Sequence, residues 1–419
     1  MRGGAPGRGA TEEAERLLVK ATAHRPLLLA APINLANLLR ELHRPDEALG
    51  PAIRAAPADA QVLRARGNLL RDLGRHDVTV VDLAAAKAAA LADPETALDH
   101  ALALLAAGRL REGFAAYEVR WASRGLRRPD TGRPLWEGST GPGRALLVHA
   151  EKGLGDTIQF ARFLVPAARR WRGRVLFACQ GALVALLRGL ATGDADLEIV
   201  SRDGPCRPHD AIVPLLSLPD RLGLAHEEEI PAAPYLAAEP ARIAKWRARL
   251  PPLRPRIGLV WQGNHRSRTD RGRFPGLAPL APLLRLPGRS FVSLQREHGL
   301  EALATVAEAA AVVRLDPELD AGTDAFLDTA AVLAELDLVV GCDTAVMHLA
   351  GALGRPCCLL LKAAADWRSQ ARRSDTPWYP RTRLFHQDRH GDWTGAVDRL
   401  VAALRHSGSE IERALEAVA

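Results

Sequence analysis

A glycine loop at residues 151–157, with the sequence EKGLGDT, carries the side chain best suited to acid–base chemistry. Gly153 and Gly155 permit close backbone approach to a ligand, and Lys152 adds a cation to the same acceptor-side loop. Asp156 allows two interpretations. It caps the helix that starts near it, or its carboxylate removes a proton from an acceptor hydroxyl. The spacing is neither the dinucleotide-binding fingerprint nor a nucleotide P-loop.

A second polar cluster lies in residues 336–350, with the sequence LDLVVGCDTAVMHLA. The apolar run predicts a strand, and a helix is expected to open at Asp343 or Thr344. Thr344 and His348 are one helical turn apart and therefore point the same way. The backbone N–H groups of Thr344 and Ala345, the Thr344 hydroxyl and the helix dipole suit a diphosphate. The alternatives are a capping role for Asp343 and a buried, hydrogen-bonded core position for His348.

A third loop, at residues 261–274, loads polar and cationic groups after a predicted strand. Such groups suit the neutralisation of a departing phosphate. Arg273 is the first choice for an anion contact and Arg266 the second, although most arginines of this loop are expected to face water. Asn264, in the same loop, and Gln295, at the end of the next strand, are expected on the donor side as well.

An alternation of strands and helices must position these loops. Strand-like runs occur at 145–149, 174–178, 197–200 and 211–213, and again at 256–261, 291–294, 312–315, 336–340 and 357–361. A proline-rich stretch at 231–255 separates the two groups. The alternation predicts two parallel sheets with right-handed crossovers, and ligands are expected where the carboxyl ends of both sheets meet.

The amino-terminal part, residues 11–125, has leucine and alanine at helical spacing and repeats itself. The segment 37–44 matches the segment 68–75 at an offset of 31 residues, and the Gly74-Arg75 turn recurs 34 residues later. This pattern predicts a tetratricopeptide-like array, whose concave face commonly binds a protein partner. The alternative is a plain helical domain without a ligand. A Pro-, Gly- and Arg-rich linker follows at 126–143.

Composition excludes several classes of protein. With 47% hydrophobic and 25% charged residues the chain is globular, and a net charge of +7 without a concentrated patch argues against a nucleic-acid partner. The five cysteines form no C-x-x-C pair and no disulfide pattern, which favours a reducing compartment. No secretory leader or transmembrane segment is evident in the sequence. A soluble cytoplasmic protein is expected.

In combination and order, four motifs resemble the heptosyltransferase-type glycosyltransferases of family nine, in a tetratricopeptide-fused form. They are E-K-G-L-G-D-T-I-Q-F, G-L-V-W-Q-G-N, F-V-S-L-Q and L-D-L-V-V-G-C-D-T-A-V-M-H-L-A-G-A-L-G-R-P. The resemblance covers roughly residues 145–405. It implies an α/β GT-B fold of two Rossmann-like domains with a cleft, preceded by the all-α repeats. The expected domains are repeats at 11–125, an acceptor-side domain at 144–240 and a nucleotide-sugar-binding domain at 241–419.

The resemblance also implies metal-independent, inverting transfer of a sugar from a nucleotide-diphosphate sugar, without a cofactor. The acceptor would be a glycan, a lipid-linked sugar or a protein. The family's catalytic aspartate falls on Asp156, its donor-binding D-T-x-x-x-H segment on Asp343, Thr344 and His348, and its basic residue on Arg273. An arginine replaces the lysine of lipopolysaccharide heptosyltransferases, and residues 361–367 lack the Gly-Pro-Thr turn, so ADP-heptose is not implied as donor. The alternative is a repeat-containing binding protein whose α/β half holds a nucleotide without turnover.

Overall fold

The computed structural model describes residues 8–24, 29–42, 44, 47–48, 59–123, 127–191, 195–263, 272–370 and 373–405. The chain divides into two compact units. The helical unit is drawn from residues 1–127 and 363–372, and the α/β unit is drawn from residues 128–362 and 373–419.

In the described part of the helical unit, helices that follow one another in the sequence pack against each other. Its helices are α1 Arg8–His24, α2 Ala30–Glu41, α3 Ala60–Asp72, α4 His76–Ala89, α5 Pro94–Ala106 and α6 Leu110–Tyr117. Asp59 and Asp93 cap α3 and α5 by accepting backbone N–H bonds. Gly74 and Gly108 follow these helices with φ of 72° and 75°, a region that favours glycine. The unit is therefore consistent with the predicted helical repeats.

Helix α4 contains the valine-rich stretch 77–82, which is a weak helix-former by propensity. Val80 and Leu83 are buried there, and they pack in one apolar cluster with Leu104 of α5. Packing of this face against its neighbours therefore outweighs the low propensity of the β-branched residues.

Residues 363–372 join the helical unit although they are distant from it in the sequence. Trp367 is buried, and its ring meets Phe114 of α6 edge-on with 5.8 Å between centroids and Tyr117 at 6.5 Å. The guanidinium carbon of Arg368 lies 4.6 Å from the centroid of the Trp367 ring. The stretch that departs from the Gly-Pro-Thr turn thus supplies an aromatic anchor to the helices.

The α/β unit contains two parallel sheets. The first has the order β3-β2-β1-β4, with β1 Ala145–His149, β2 Arg174–Cys179, β3 Leu197–Ser201 and β4 Ala211–Pro214. The second has the order β10-β9-β8-β5-β6-β7, with β5 Arg256–Val260, β6 Ser290–Ser293, β7 Val312–Val313, β8 Leu338–Cys342, β9 Cys357–Leu361 and β10 Thr382–His386. The predicted fold class, two Rossmann-like sets preceded by helices, is confirmed. Strand β10 was not predicted.

Helices cover these sheets. They are α7 Leu154–Phe160, α8 Leu164–Trp171, α9 Val184–Leu187, α10 Leu218–Leu222, α11 Pro240–Arg247, α12 Ala281–Leu284, α13 Ala302–Thr305, α14 Leu327–Glu335, α15 Ala345–Ala352 and α16 Thr394–Arg405. Helices α7 and α8 are separated by a 3₁₀ turn, Ala161–Phe163. Across the described residues, none of the helices combines the length and the apolar character needed to cross a membrane.

The cores of both sheets are apolar. Alternate residues of β5 and β8, Ile257, Leu259, Leu338 and Val340, lie in one cluster with the helices α12 and α16. All five cysteines are free, and burial raises the pKa of the Cys357 and Cys358 thiols to about 12, so they stay protonated. In the linker, Trp136 is buried and packs edge-on against Trp171 of α8.

The aromatic anchor generates the first prediction. In the full chain, Trp367→Ala removes a buried indole and leaves a cavity beside Phe114, which should cost the helical unit about 3 kcal/mol of stability. Amide hydrogen exchange in α5 and α6 should accelerate accordingly. Leu91→Ala, at a side chain that is 85% exposed, should leave these rates unchanged. Equal rates in Trp367→Ala and the wild type would show that the segment does not stabilise the helices.

Candidate functional site

The glycine loop after β1 and the polar turn after β8 meet within the α/β unit. A Cβ placed on Gly155 would lie 3.0 Å from Cδ2 of His348, 3.4 Å from Cα of Ala345 and 3.6 Å from its nitrogen. The first turns of α7 and α15 therefore approach so closely that a side chain larger than the hydrogen of glycine at position 155 would displace its neighbours. The residue next to Gly155 is Asp156, so the structure brings the predicted acidic group beside the predicted donor segment.

Asp156 occupies the third position of α7, which begins at Leu154 and has Gly153 as its N-cap. The expectation that the helix starts near Asp156 with Asp156 as its cap is wrong by three residues. Instead, Oδ2 of Asp156 accepts the backbone N–H of Gly153 at 3.1 Å, which is the returning half of a capping box. The half-buried carboxylate is thus oriented by the backbone of its own loop.

Buried polar groups brace the rest of this loop. The Thr157 hydroxyl donates to Oε1 of Gln180 at 3.0 Å, and the Gln180 amide donates to the carbonyl of Lys152 at 3.3 Å. Oε1 of the buried Glu151 accepts the N–H of Leu216 at 3.0 Å. Lys152 itself is exposed, with φ of 61°. Sequence reasoning missed Gln180, since nothing in its local sequence marks it as a partner of a loop almost thirty residues earlier.

Asp343 contacts both Arg273 and His348 on the donor side. Its Oδ2 accepts from Nη2 of Arg273 at 2.7 Å, and its Oδ1 lies 3.6 Å from Nε2 of His348. The capping role considered for Asp343 is not observed, because the N-cap of α15 is Thr344. The carboxylate instead fixes the direction of one guanidinium and one imidazole at the start of this helix.

Thr344 and Ala345 form the start of α15, an eight-residue helix. Thr344 is extended, with φ of −141° and ψ of 167°, and its side chain does not cap the helix. Its Oγ1 is buried and has no hydrogen-bond partner among the described residues. The first backbone N–H groups of a helix also lack intrahelical partners. A hydroxyl and helix-terminal amides therefore converge where an anion would be stabilised.

His348 is held from its other side by Tyr379. Nδ1 of His348 lies 3.1 Å from the Tyr379 hydroxyl. Burial, with a smaller effect of Tyr235, raises the pKa of the Tyr379 phenol well above its usual value, so the phenol stays protonated. The other ring nitrogen, Nε2, lies on the side of Asp343.

Arg162 completes this chain of contacts from the turn between α7 and α8. It is only 3% exposed, and it donates to the carbonyl of Trp378 at 2.6 Å and to that of Pro231 at 3.3 Å. Its guanidinium carbon lies 4.7 Å from the ring centroid of Tyr379 and 4.8 Å from that of Tyr235. No carboxylate contacts it in the part of the chain that the structure describes. Carbonyl oxygens and aromatic faces balance its charge.

The remaining predicted donor residues have different positions. Asn264 and Arg266 lie outside the described residues. The Gln295 amide is used by the backbone: its Oε1 accepts from the N–H groups of Trp261 and Gln262, and its Nε2 donates to the Gln262 carbonyl at 2.7 Å. Gln295 therefore holds the start of the loop after β5, and its role toward a nucleotide stays a prediction.

Comparison with known proteins gives a family match and a relative that aligns with most of this chain. Residues 294–365 match "Glycosyltransferase family 9 (heptosyltransferase)". Protein FlbA of Caulobacter vibrioides is 29% identical over 378 residues, which is 84% of this chain and 63% of that protein. The chain thus spans less than two thirds of the length of this relative.

Solved structures give weaker likenesses. The ADP-heptose lipopolysaccharide heptosyltransferase II of E. coli aligns with a TM-score of 0.44 and 14% identity, over 65% of this chain and 99% of that one. A family 9 glycosyltransferase of Veillonella parvula aligns with a TM-score of 0.45 and 11% identity, over 66% and 98%. The fold assignment therefore rests on the strand order. The family match covers Asp343, Thr344 and His348, and it confirms the predicted resemblance to the heptosyltransferase-type glycosyltransferases.

Proposed function

We propose that this chain transfers a sugar from a nucleotide-diphosphate sugar to an acceptor hydroxyl, with inversion at the anomeric carbon and without a metal. The observation that carries the proposal is the contact between the two loops. Asp156 follows Gly155, and a Cβ on Gly155 would lie within 3.4 Å of both His348 and Ala345. An oriented carboxylate and a helix start suited to an anion thus lie on the two sides of this contact, and the family 9 match covers the helix start.

In the proposed step, the Asp156 carboxylate removes the acceptor proton while the hydroxyl oxygen forms a bond to the anomeric carbon. The bond from that carbon to the diphosphate breaks on the opposite face, and its electron pair leaves with the diphosphate. The transition state resembles an oxocarbenium ion, as in other glycosyl transfers. The Gly153 N–H bond holds one carboxylate oxygen, which fixes the direction of the proton transfer.

The second task is to stabilise the leaving diphosphate. The amides at the start of α15 and the buried Thr344 hydroxyl are preorganised for this, and Arg273 is oriented by Asp343 at 2.7 Å. Asp343 offsets part of the positive charge of Arg273 before the donor arrives. We propose that the diphosphate then shares this guanidinium with Asp343, and that His348 donates from Nε2.

The acceptor is proposed to be a glycan, a lipid-linked sugar or a protein, and the helical unit is proposed to bind a protein partner. The proposed location is the cytoplasm. One observation favours the second candidate, a nucleotide-binding protein without turnover. The Asp156 carboxylate already has a structural task at Gly153. Prolonged incubation with nucleotide-diphosphate sugars separates the two functions, because binding without nucleotide release, with or without acceptors, supports the second.

Asp156→Asn tests the general base. Its amide oxygen can still accept the Gly153 N–H, so the loop should keep its shape while proton removal is lost. The turnover number should fall by about 100- to 10,000-fold, with donor affinity in calorimetric titration nearly unchanged. Asp324→Asn, at an exposed carboxylate outside the site, is the matched control and should keep full turnover. An unchanged rate in Asp156→Asn removes this residue from the mechanism.

Gly155→Val tests the close contact between the glycine loop and the start of α15. The added side chain would displace His348 or Ala345, and we expect turnover to fall by about a hundredfold because the reacting groups are misplaced. Gly322→Val is the control, since a Cβ there meets nothing within 4 Å. Circular dichroism of both variants should match the wild type. Full activity in Gly155→Val would place the reaction elsewhere.

Tyr379→Phe tests the support of His348. Loss of the phenol hydroxyl removes the contact to Nδ1 and leaves the imidazole less firmly oriented, so we expect donor affinity to fall by about fivefold, the equivalent of one hydrogen bond. Tyr235→Phe is the matched control, because it removes a hydroxyl that contacts Arg162 at 3.3 Å without touching His348. Titration calorimetry with the donor nucleotide should separate the variants. An equal loss of affinity in both would assign the effect to general destabilisation.

A further inference from the structure

An arginine-lined cleft, which we name the basic cleft, lies on the first sheet's side of the α/β unit. Its volume is about 870 Å³. The residues that line it are Arg133, Gly143, Arg144, Ala145, Ala168, Arg169, Arg172, Gly173, Arg174, Asp196, Pro208, His209 and Asp210. Five of these side chains are guanidinium groups, and all five are exposed to solvent.

The basic cleft lies at the opposite edge of the sheet from the candidate site. It is lined by Ala145 and Arg174, the first residues of β1 and β2, and by residues at the end of α8. The glycine loop with Asp156 follows the last residue of β1 instead. Because β1 and β2 are parallel, these are the two different ends of the same strands. A ligand in the basic cleft would therefore be separate from the nucleotide sugar.

The charges of the cleft are poorly balanced. Arg133, Arg144, Arg169 and Arg172 form no ion pair with a described carboxylate, whereas Arg174 pairs with Glu198. The lining also contains two carboxylates, those of Asp196 and Asp210. Oδ2 of Asp210 accepts the N–H of Ala145 at 2.8 Å, so one oxygen of this carboxylate already has a hydrogen-bond partner. Four guanidinium groups around one cavity repel each other until an anion enters.

Helix electrostatics explain only some of these arginines. Arg169 and Arg172 lie at the end of α8, where the helix dipole favours cations. Arg133 and Arg144 come from the segment before β1, so the helix dipole does not account for them. Arg144 is also positioned, since its guanidinium carbon lies 5.5 Å from the ring centroid of Trp171.

We propose that the basic cleft binds a ligand that carries two or more phosphate groups. Guanidinium groups recognise phosphate oxygens with paired hydrogen bonds, and four of them exceed what one phosphate can engage. The volume is within the range of small-molecule sites. The phosphate groups come either from a soluble compound or from a lipid headgroup, which share this chemistry.

The test uses the full chain and two probes. Titration calorimetry measures tripolyphosphate and orthophosphate, and vesicle sedimentation compares phosphatidylcholine alone with phosphatidylcholine plus cardiolipin, whose headgroup carries two phosphates. The variants are the pair Arg169→Gln with Arg172→Gln and, independently, the pair Arg133→Gln with Arg144→Gln. Controls are Arg188→Gln, at an exposed arginine outside the cleft, and Arg273→Gln, which alters the candidate donor site.

We expect tripolyphosphate or cardiolipin vesicles to bind the wild type, and each double variant to weaken that binding by more than about tenfold. Arg188→Gln should bind both probes as the wild type does, and Arg273→Gln should keep the binding that the double variants lose. Tripolyphosphate binding supports a soluble ligand, and binding to cardiolipin vesicles alone supports a headgroup. Failure of both probes, equal binding in all variants, or orthophosphate binding as tight as that of tripolyphosphate would overturn the proposal.

Discussion

The buried guanidinium of Arg162 is the interaction on which the candidate site depends. A charge taken out of water costs several kcal/mol unless it is compensated. Here three carbonyl oxygens and the Tyr235 hydroxyl accept its hydrogen bonds, and the rings of Tyr379 and Tyr235 face it at 4.7–4.8 Å. Hydrogen bonds to charged groups contribute about 1.5–3 kcal/mol each and cation–π contacts about 1–2 kcal/mol, so the cage offsets the penalty only while it stays complete. The turn after α7 is therefore held firmly against Trp378 and Tyr379.

This constraint extends to the chemistry through Tyr379. The ring of Tyr379 faces Arg162, and its hydroxyl contacts Nδ1 of His348. The other imidazole nitrogen faces Asp343, which in turn holds Arg273. Each contact fixes one side chain by means of the previous one. The glycine loop is positioned by α7, which also leads to Arg162. Asp156 and the residues at the start of α15 therefore share one support. The structure orients these groups before a substrate is present, which is the condition for electrostatic stabilisation of a transition state.

Much of the fold could be predicted from the sequence because its signals are local. Apolar runs of five residues before Gly153 and before Asp343 predict strands whose loops carry the chemistry, and the positions of Asp156, Thr344 and His348 followed from them. What depends on distant partners could not be predicted. Arg162 and Tyr379 are 217 residues apart in the numbering, and neither has a local pattern that distinguishes it from a core or surface residue. Trp367 joins the helical unit for a reason that appears only when Phe114 and Tyr117 are placed beside it.

Asp156 shows why the structural and the catalytic interpretations of a residue need not compete. A carboxylate on an unconstrained loop would sample many orientations, and proton transfer would require it to lose that conformational entropy first. The bond from the Gly153 N–H to Oδ2 removes that freedom in the folded state. A base held in this way has a well-defined direction, so in the proposed transfer the carboxylate meets the acceptor hydroxyl already oriented.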